Sequence, residues 1–435
     1  MRPLTHIKIL LRLLACGMFV VYARPLRADT PLFGDPMIVL KSPNGTGSSV
    51  AGDFNNDGRS EFVASVRSNS LRLYQWNPDT SSMVETIIAP NDKSLGHRNR
   101  FGGDLTVADM DGDGFLDLVV PNSNNNLGPG CVFWYRNPGT LTLNWERHTV
   151  TTWSGTGTQN ADNYVRHMSE IKVADLSGNG HPDIVTRDVQ YGLFVMLNHG
   201  DGRWTRRHIP THPREGLALA DINGDGRPDI VINGLWFETP AGNLATAQFV
   251  QHIYAADQYP ADNNRGSQDN YAKKVKVADM NGDGRIDIIV SNAEQLSGAT
   301  TGGPKGIRIY LAPEHATGAW QEVLIQAPQV RLASLFSLHT LEVGDLDHDG
   351  DLDILTAVSS VGVDKAPGQV FALLNSGNGT AFTFRSILKE FAYNNVIADA
   401  DGDGDLDLFG GTDFGGGHVR YFQNLSPVPQ PPARP

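Results

Sequence analysis

The stretch Asp109-Met-Asp111-Gly-Asp113-Gly-Phe-Leu-Asp117 places oxygen side chains at positions 1, 3, 5 and 9 of a nine-residue loop, with Gly114 at position 6. Such alternation aims several hard oxygen donors at one point, which is the coordination Ca²⁺ requires. Position 6 is where the chain turns most sharply, and glycine alone reaches positive φ there without steric cost. The pattern occurs in loops beginning at Asp53, Asp109, Asp175, Asp221, Asp279, Asp345 and Asp399. Their ligand positions hold nearly half of the 48 acidic residues, so bound divalent ions would offset the formal net charge of −13. The acidity therefore points to coordination. No basic run or stripe suits a nucleic acid.

A second set of chemistry-bearing residues lies just upstream of these loops. The lead-in segments read His97-Arg98-Asn99-Arg100, Tyr164-Val-Arg166-His167, Arg214-Glu215, Tyr271-Ala-Lys273-Lys274, Ser337-Leu-His339 and Tyr393-Asn394-Asn395. Glu215, Lys273 and His339 each fall six residues before a loop aspartate, which predicts equivalent positions facing a common axis. Arg98, Arg100, Arg166, Arg214, Glu215, Lys274 and Asn394 would suit an anionic or polyhydroxylated ligand, since Arg and Lys hold carboxylates. His339, His167, His97, Lys273 and Tyr271 are the candidates for proton transfer. Elimination beside a sugar carboxylate or ketone needs this pairing of charge neutralisation with a base. The histidines could instead hold a further divalent metal. Polar residues also line solvated channels in proteins without catalytic function, so an enzyme and a binding protein both remain open.

The elements that position these groups recur with the loops, at intervals of 46 to 66 residues. A short apolar alternation precedes each loop, as in Ile171-Lys-Val-Ala, and another follows, as in Asp183-Ile-Val-Thr. A third strand ends as Trp134-Tyr-Arg-Asn-Pro138 or Tyr74-Gln-Trp-Asn-Pro78, and a fourth carries Trp145-Glu-Arg-His148 or Trp204-Thr-Arg-Arg-His208. Four short strands per period describe a propeller blade. The expected fold is all-β: seven four-stranded blades over residues 35–425, with Met37-Ile-Val-Leu40 completing the last blade and removing open edges. The loops between first and second strands would mark one face of the disc. The lead-in segments, and long inserts such as 151–168 and 254–271 (with Tyr259, Asn263, Asn264 and Arg265), would crown the other. His148, His208 and His252 recur in fourth strands and read as blade architecture.

The loops resemble the FG-GAP and VCBS propeller repeats also found in integrin α-chain heads. The resemblance implies structural Ca²⁺, up to seven ions, at Asp53, Asn55, Asp57 and Glu61; Asp109, Asp111, Asp113 and Asp117; Asp175, Asn179 and Asp183; Asp221, Asn223, Asp225 and Asp229; Asp279, Asn281, Asp283 and Asp287; Asp345, Asp347, Asp349 and Asp353; and Asp399, Asp401, Asp403 and Asp407. Blade 3 departs from the pattern with Ser177 at position 3 and should bind weakest. More narrowly, the W-Y-x-N-P and W-x-x-H strands and His339-Thr-Leu-Glu-Val resemble the propeller of aldos-2-ulose dehydratase and related secreted bacterial proteins. That resemblance implies a carbohydrate substrate and lyase or dehydratase chemistry on oxidised or uronic sugars. The alternative is a non-catalytic propeller that binds glycans or proteins.

At the N-terminus, Arg2, Lys8 and Arg12 and the apolar run to Ala23 read as a secretory signal over residues 1–28. Leu13-Leu14-Ala15-Cys16 fits a lipoprotein box loosely, because Phe19, Val20 and Val21 continue the apolar run. Residues 426–435 form a Pro-rich tail. The expectation is a secreted monomer with no transmembrane segment. Once the signal is removed only Cys131 remains, so no internal disulfide can form, and bound Ca²⁺ is the candidate source of rigidity.

Overall fold

The computed structural model describes residues 19–22, 24–25, 31–42, 46–66, 70–89, 104–123, 128–141, 144–212, 215–256, 273–292, 306–326, 338–359, 368–390, 392–411 and 417–427. They form seven antiparallel sheets in a ring, with no helix among them. Blade 1 is Thr46–Gly52, Glu61–Val66, Ser70–Asn77 and Ser82–Ala89, and blade 2 is Thr106–Ala108, Asp117–Ser123, Gly130–Arg136 and Glu146–Trp153. Blade 3 is Met168–Ala174, Asp183–Asp188, Gly192–Asn198 and Trp204–Pro210, and blade 4 is Leu217–Ala220, Asp229–Ile232, Leu235–Glu238 and Val250–Ile253. Blade 5 is Lys273–Ala278, Asp287–Asn292, Ile307–Leu311 and Gln321–Gln326, and blade 6 is Leu338–Gly344, Asp353–Val358, Val370–Asn375 and Phe382–Leu388. Blade 7 is Tyr393–Ala398, Asp407–Gly411, Gly417–Phe422 and, from the other end of the chain, Met37–Ser42. That last strand pairs antiparallel with Gly417–Phe422, Met37 opposite Tyr421 and Ser42 opposite Gly417.

Burial grades outward along each blade. Second strands such as Asp183–Asp188 and Asp353–Val358 are buried throughout; the latter is mostly apolar, whereas the former also buries Thr186, Arg187 and Asp188. Fourth strands are partly exposed and mix polar with apolar residues. Seven apolar clusters fill the seven seams between neighbouring blades. At the seam that closes the ring, Phe62 of blade 1 stacks on Phe409 of blade 7 with centroids 4.5 Å apart. The second residue of every acidic loop is a buried side chain belonging to one of these seams: Phe54, Met110, Leu176, Ile222, Met280, Leu346 and Ala400. Each of the larger ones contributes roughly 1.5–3 kcal/mol by leaving water. The alternation that turns oxygens outward thus also drives an apolar anchor into the neighbouring blade.

Two short segments of the expected signal also pair with the ring. Phe19–Tyr22 runs parallel to the outer strand Gln321–Gln326 of blade 5, and Arg24–Pro25 runs parallel to Phe382–Leu388 of blade 6.

Candidate functional site

The acidic loops share one construction. In blade 2, the Asp109 carboxylate accepts backbone N–H bonds from Gly112, Asp113 and Gly114 at 2.8, 3.1 and 2.9 Å. Gly114 has φ 89°, so the sharp turn at position 6 needs glycine. Position 4 is left-handed as well, with Gly112 at φ 78° and even Asn56 and His348 at 59° and 61°. The ninth residue is a brace. Asp117 is fully buried and accepts N–H bonds from Met110 at 2.9 Å and from Asn137, at the end of the third strand, at 2.8 Å. Asp353 repeats this with Leu346 and Asn375, and Asp407 with Ala400 and Asn424. In Asp117 and Asp353 each carboxylate oxygen keeps a second lone pair for a cation, whereas Asp407 Oδ2 also accepts the Tyr421 hydroxyl at 2.8 Å.

This brace explains the recurring asparagine that ends the third strands. Asn137 donates through Nδ2 to Phe54 O of blade 1 at 2.6 Å, and Asn375 to Met280 O of blade 5 at 2.8 Å. Asn424 reaches Leu346 O of blade 6 at 3.1 Å. The motif is an inter-blade stitch.

The donor sets fit a divalent cation unequally. Oxygens of Asp109, Asp111 and Asp117 converge within 4.8 Å of one another, as do those of Asp345, Asp347 and Asp353, and of Asp399, Asp401 and Asp407. Burial, aided by neighbouring loop carboxylates, pushes Asp117 and Asp407 up to about 7 and Asp353 up to about 8. A cation would relieve that penalty. Asp345 Oδ1 and Asp347 Oδ1 are buried without a hydrogen-bond partner, another sign that something positive belongs there. In blades 4 and 5 an arginine partly fills that need: Arg227 and Arg285 donate to Asp225 and Asp283. In blade 3, Asn179 turns its amide to Asn198 O at 2.8 Å, in keeping with a poor site.

The ring's centre holds a cavity of about 400 Å³ lined by the first strands of all seven blades. Charged residues stand in its wall in two tiers, set by strand alternation. Five residues before the loop aspartate come Asp104, Glu170 and Lys274, with Asn394 beside them. Three residues before it come Lys172, Lys276 and Glu342. Lys274 Nζ of blade 5 lies 3.2 Å from Asp104 Oδ1 of blade 2 and 3.8 Å from Glu170 Oε1 of blade 3. Lys172 Nζ lies 3.7 Å from Asp104 Oδ2, and Lys276 Nζ 2.8 Å from Glu342 Oε2. Glu170 also accepts the Gly216 N–H at 2.6 Å and the Ser169 hydroxyl at 3.1 Å. Burial alone would raise the Asp104 carboxyl, but the Lys274 and Lys172 charges bring it below the usual range. Burial would likewise lower Lys274, yet Asp104 and Glu170 hold it above its ordinary value.

The candidate residues upstream of the loops divide. His339 stands in the cavity wall, 3% exposed, its ring 4.8 Å from that of Tyr393. Burial, reinforced by the Lys274 charge, lowers it to about 3. Lys274 and Asn394 also line the cavity, and Asn394 donates to Ser48 Oγ at 3.2 Å. His167 and Glu215 do not line it; they face each other at 3.9 Å, and burial lowers His167 to about 4. Arg166 is exposed, with its backbone N–H held by Asp188 Oδ2 at 2.7 Å. Lys273 begins the first strand of blade 5, paired with Asn292. His97, Arg98, Arg100, Arg214 and Tyr271 lie outside the described residues.

The expected equivalence of Glu215 and His339 is therefore replaced by a different register, while the side chain of Lys273 lies outside the described ones. The inward positions are five and three before the loop, and His339, at six, reaches the wall where the pairing shifts between Leu338 and Thr340. Sequence reasoning missed Asp104, Glu170, Lys172, Lys276 and Glu342. Period-two counting back from each loop aspartate would have found them. Among the described residues no histidine belongs to a three-residue metal-ligating group. His148 and His252 stack on Trp134 and Trp236 with centroids 4.3 and 4.1 Å apart, and His208 packs on Phe194.

A closed ring of seven four-stranded blades with acidic first-to-second-strand turns defines the protein's class: a seven-bladed β-propeller with cation-type loops. FG-GAP-like repeats match at residues 53–120, 109–186, 175–232 and 279–356. Together these cover more than half the chain, and the chain belongs to that family. No curated protein sequence matches. Among solved structures the fold is similar to that of BBS1N, crystallised in complex with ARL6DN, at 10% identity and TM-score 0.53, over 93% of this chain and 98% of that one. It also matches the exotype rhamnogalacturonan lyase YesX at 12% identity and TM-score 0.47, over 89% of this chain and 75% of that one. Both likenesses concern the fold, and the second is too distant to carry more. Among the described residues, no helix is long and apolar enough to cross a membrane.

Proposed function

We propose that this chain is a secreted, calcium-braced propeller that recognises carbohydrate, taking a sugar unit into the central cavity from the face opposite the acidic loops. The supporting observation is the balance of the cavity wall, where Asp104, Glu170 and Glu342 meet Lys172, Lys274 and Lys276. Three carboxylates against three ammonium groups leave no net charge to select a strong ion. Alternating donors and acceptors instead match the hydroxyls of a polyol, with Lys172 and Lys276 able to turn towards a sugar carboxylate. Calcium in the loops would hold the blades in register and take no part in recognition.

The second reading, a lyase or dehydratase on oxidised or uronic sugars, draws support from His339 in the same wall. A general base near neutral pH needs a pKa near the working pH, whereas burial lowers His339 to about 3 and His167 to about 4. Recognition without turnover is thus the better-supported reading. Calorimetric titration with neutral and uronate oligosaccharides tests it, with Lys276→Ala and Glu342→Gln expected to weaken binding. Absence of binding to every glycan would reject the proposal. An ultraviolet-absorbing enone formed by wild type and not by His339→Ala would replace it with the lyase reading.

A further inference from the structure

Blade 3 ends its second strand in a way the other blades do not. Four and five residues beyond the ninth loop position it carries Arg187 and Asp188, where the other six blades have uncharged pairs such as Pro121-Asn122 and Ser291-Asn292. Both side chains are fully buried, and Glu170, opposite Arg187 in the first strand, is 2% exposed. Three neighbouring buried charges cost stability, and their hydrogen bonds show what they hold. Arg187 donates to Gly216 O at 3.0 Å and to His212 O at 3.3 Å, and Glu170 accepts the Gly216 N–H at 2.6 Å. Together they fix the lead-in of blade 4, which carries Glu215. Asp188 Oδ2 accepts the Arg166 and His167 N–H groups at 2.7 and 2.8 Å, which fixes the lead-in of blade 3. Its other oxygen accepts from Gln190 and Tyr191 at 2.8 and 3.0 Å and closes the turn after the second strand. Two neighbouring segments are thus locked on the face opposite the acidic loops, next to Glu170 and Leu217 of the cavity wall.

The locked segments bring His167 Nε2 to 3.9 Å from Glu215 Oε1, with 19% and 18% of the two side chains exposed. That gap is too long for a direct hydrogen bond and short enough for one oxygen to bond both groups. His167 Nδ1 is buried, and among the described residues nothing bonds to it. The ring's proton therefore belongs on Nε2, since a buried N–H without an acceptor is the costlier orphan. Burial, reinforced by the Lys274 charge, lowers the imidazole to about 4, so the ring is neutral around pH 7. One donor and one acceptor at this spacing match a single hydroxyl group.

We propose that His167 and Glu215 form a second sugar subsite on the entry rim between blades 3 and 4, where both bond one ligand hydroxyl. Arg187, Asp188 and Glu170 are its positioning residues: they touch no ligand and act by fixing the two backbones that carry the pair. The inference rests on the carbohydrate reading and extends it. With one unit in the cavity and the next at the rim, the ligand is an oligosaccharide.

The test is calorimetric titration of the full mature chain with neutral and uronate oligosaccharides and with their component monosaccharides. His167→Ala and Glu215→Ala should each weaken oligosaccharide binding about tenfold, the loss expected for one hydrogen bond to a charged or buried partner. The double variant should lose little more than either alone, because both side chains serve one hydroxyl. Monosaccharide affinity should stay unchanged in all three. Arg187→Lys keeps the charge but lacks the fork that reaches two carbonyls, and it should weaken oligosaccharide binding when measured well below its own Tm. A merely structural Arg187 would lower Tm and leave the affinity unmoved, which would refute its positioning role. Oligosaccharide binding that is unchanged in His167→Ala and Glu215→Ala overturns the subsite, as do fully additive losses or equal losses for the monosaccharide. If Lys276→Ala weakens binding in that case, the cavity reading stands without the rim. Absence of wild-type binding to every glycan removes both.

Discussion

Replacing Lys274 by methionine would remove a side chain that ties three blades together across the channel. Asp104 would lose its 3.2 Å partner and keep Lys172 at 3.7 Å. Glu170, 2% exposed, would keep only its bonds from Gly216 and Ser169. Breaking a fully buried pair costs about 3–5 kcal/mol. Lys274 and Asp104 retain 15% and 19% side-chain exposure, so about 2–4 kcal/mol is the expected loss after allowing for solvent screening. At about 2.1 cal/mol/K of unfolding entropy per residue, a ring of this size has roughly 0.8 kcal/mol/K, which converts the loss to about 3–5 °C in Tm. The variant should also acquire a signature in pH. Without Lys274 both carboxyls have folded pKa values above their unfolded ones, so the folded state binds more protons and the deficit shrinks as pH falls from 7.5 to 5, by up to about 1.4 kcal/mol per unit per group. Differential scanning calorimetry across that range, with Lys274→Met/Asp104→Asn/Glu170→Gln as the neutralised control, measures both. A Tm within 1 °C of wild type at pH 7.5, or a deficit that stays constant to pH 5, would refute the assignment of Lys274 as the electrostatic centre of the cavity.

Chelation of divalent ions should lower Tm by several degrees and calcium should restore it, because ions that bind the folded state add to its stability; an unchanged melt would remove calcium from the structural account. Asn375→Ala takes away amide donations to Met280 O and Leu352 O and should cost about 1–3 kcal/mol, with faster hydrogen exchange confined to the seam between blades 5 and 6. Gly114→Ala, at φ 89° with nothing within 4 Å of the added methyl, should cost about 1–2 kcal/mol by denaturant titration and weaken blade 2's ion. His339 is held well below its unfolded pKa, so the unfolded state binds the extra proton and stability falls as pH drops through 6.5 towards about 3. His339→Gln should therefore flatten that acid limb, and an identical slope in the variant would contradict the burial of a neutral ring.

Much of the ring could be read from the chain because one local device, the loop with outward oxygens and a buried second residue, repeats in every blade. Its turn chemistry is written in adjacent residues, so Gly114 and its counterparts are recognisable without tertiary information. The brace was partly legible: Asn137 stood out in a recurring strand ending and Asn375 did not, and their partners Phe54 and Met280 lie in the preceding blade, 83 and 95 residues away. The cavity was least legible. Lys172 and Lys276 sit in an alternation that looks like any solvent-facing strand, and only ring closure turns that face inward. Lys274 and Asp104 are 170 residues apart, a pairing no local pattern encodes. His339 reached the wall through a slip in strand pairing, which shifted it away from the residues counted as its equivalents.

The seventh blade is built from both ends of the propeller, Met37–Ser42 lying against Gly417–Phe422. During synthesis the strand that emerges early must wait for almost the whole chain before it meets its neighbour. Six blades can assemble in order as they appear, each docking on the one before, while the circle stays open like a bracelet without its clasp. The last step joins residues that are far apart in time as well as in sequence.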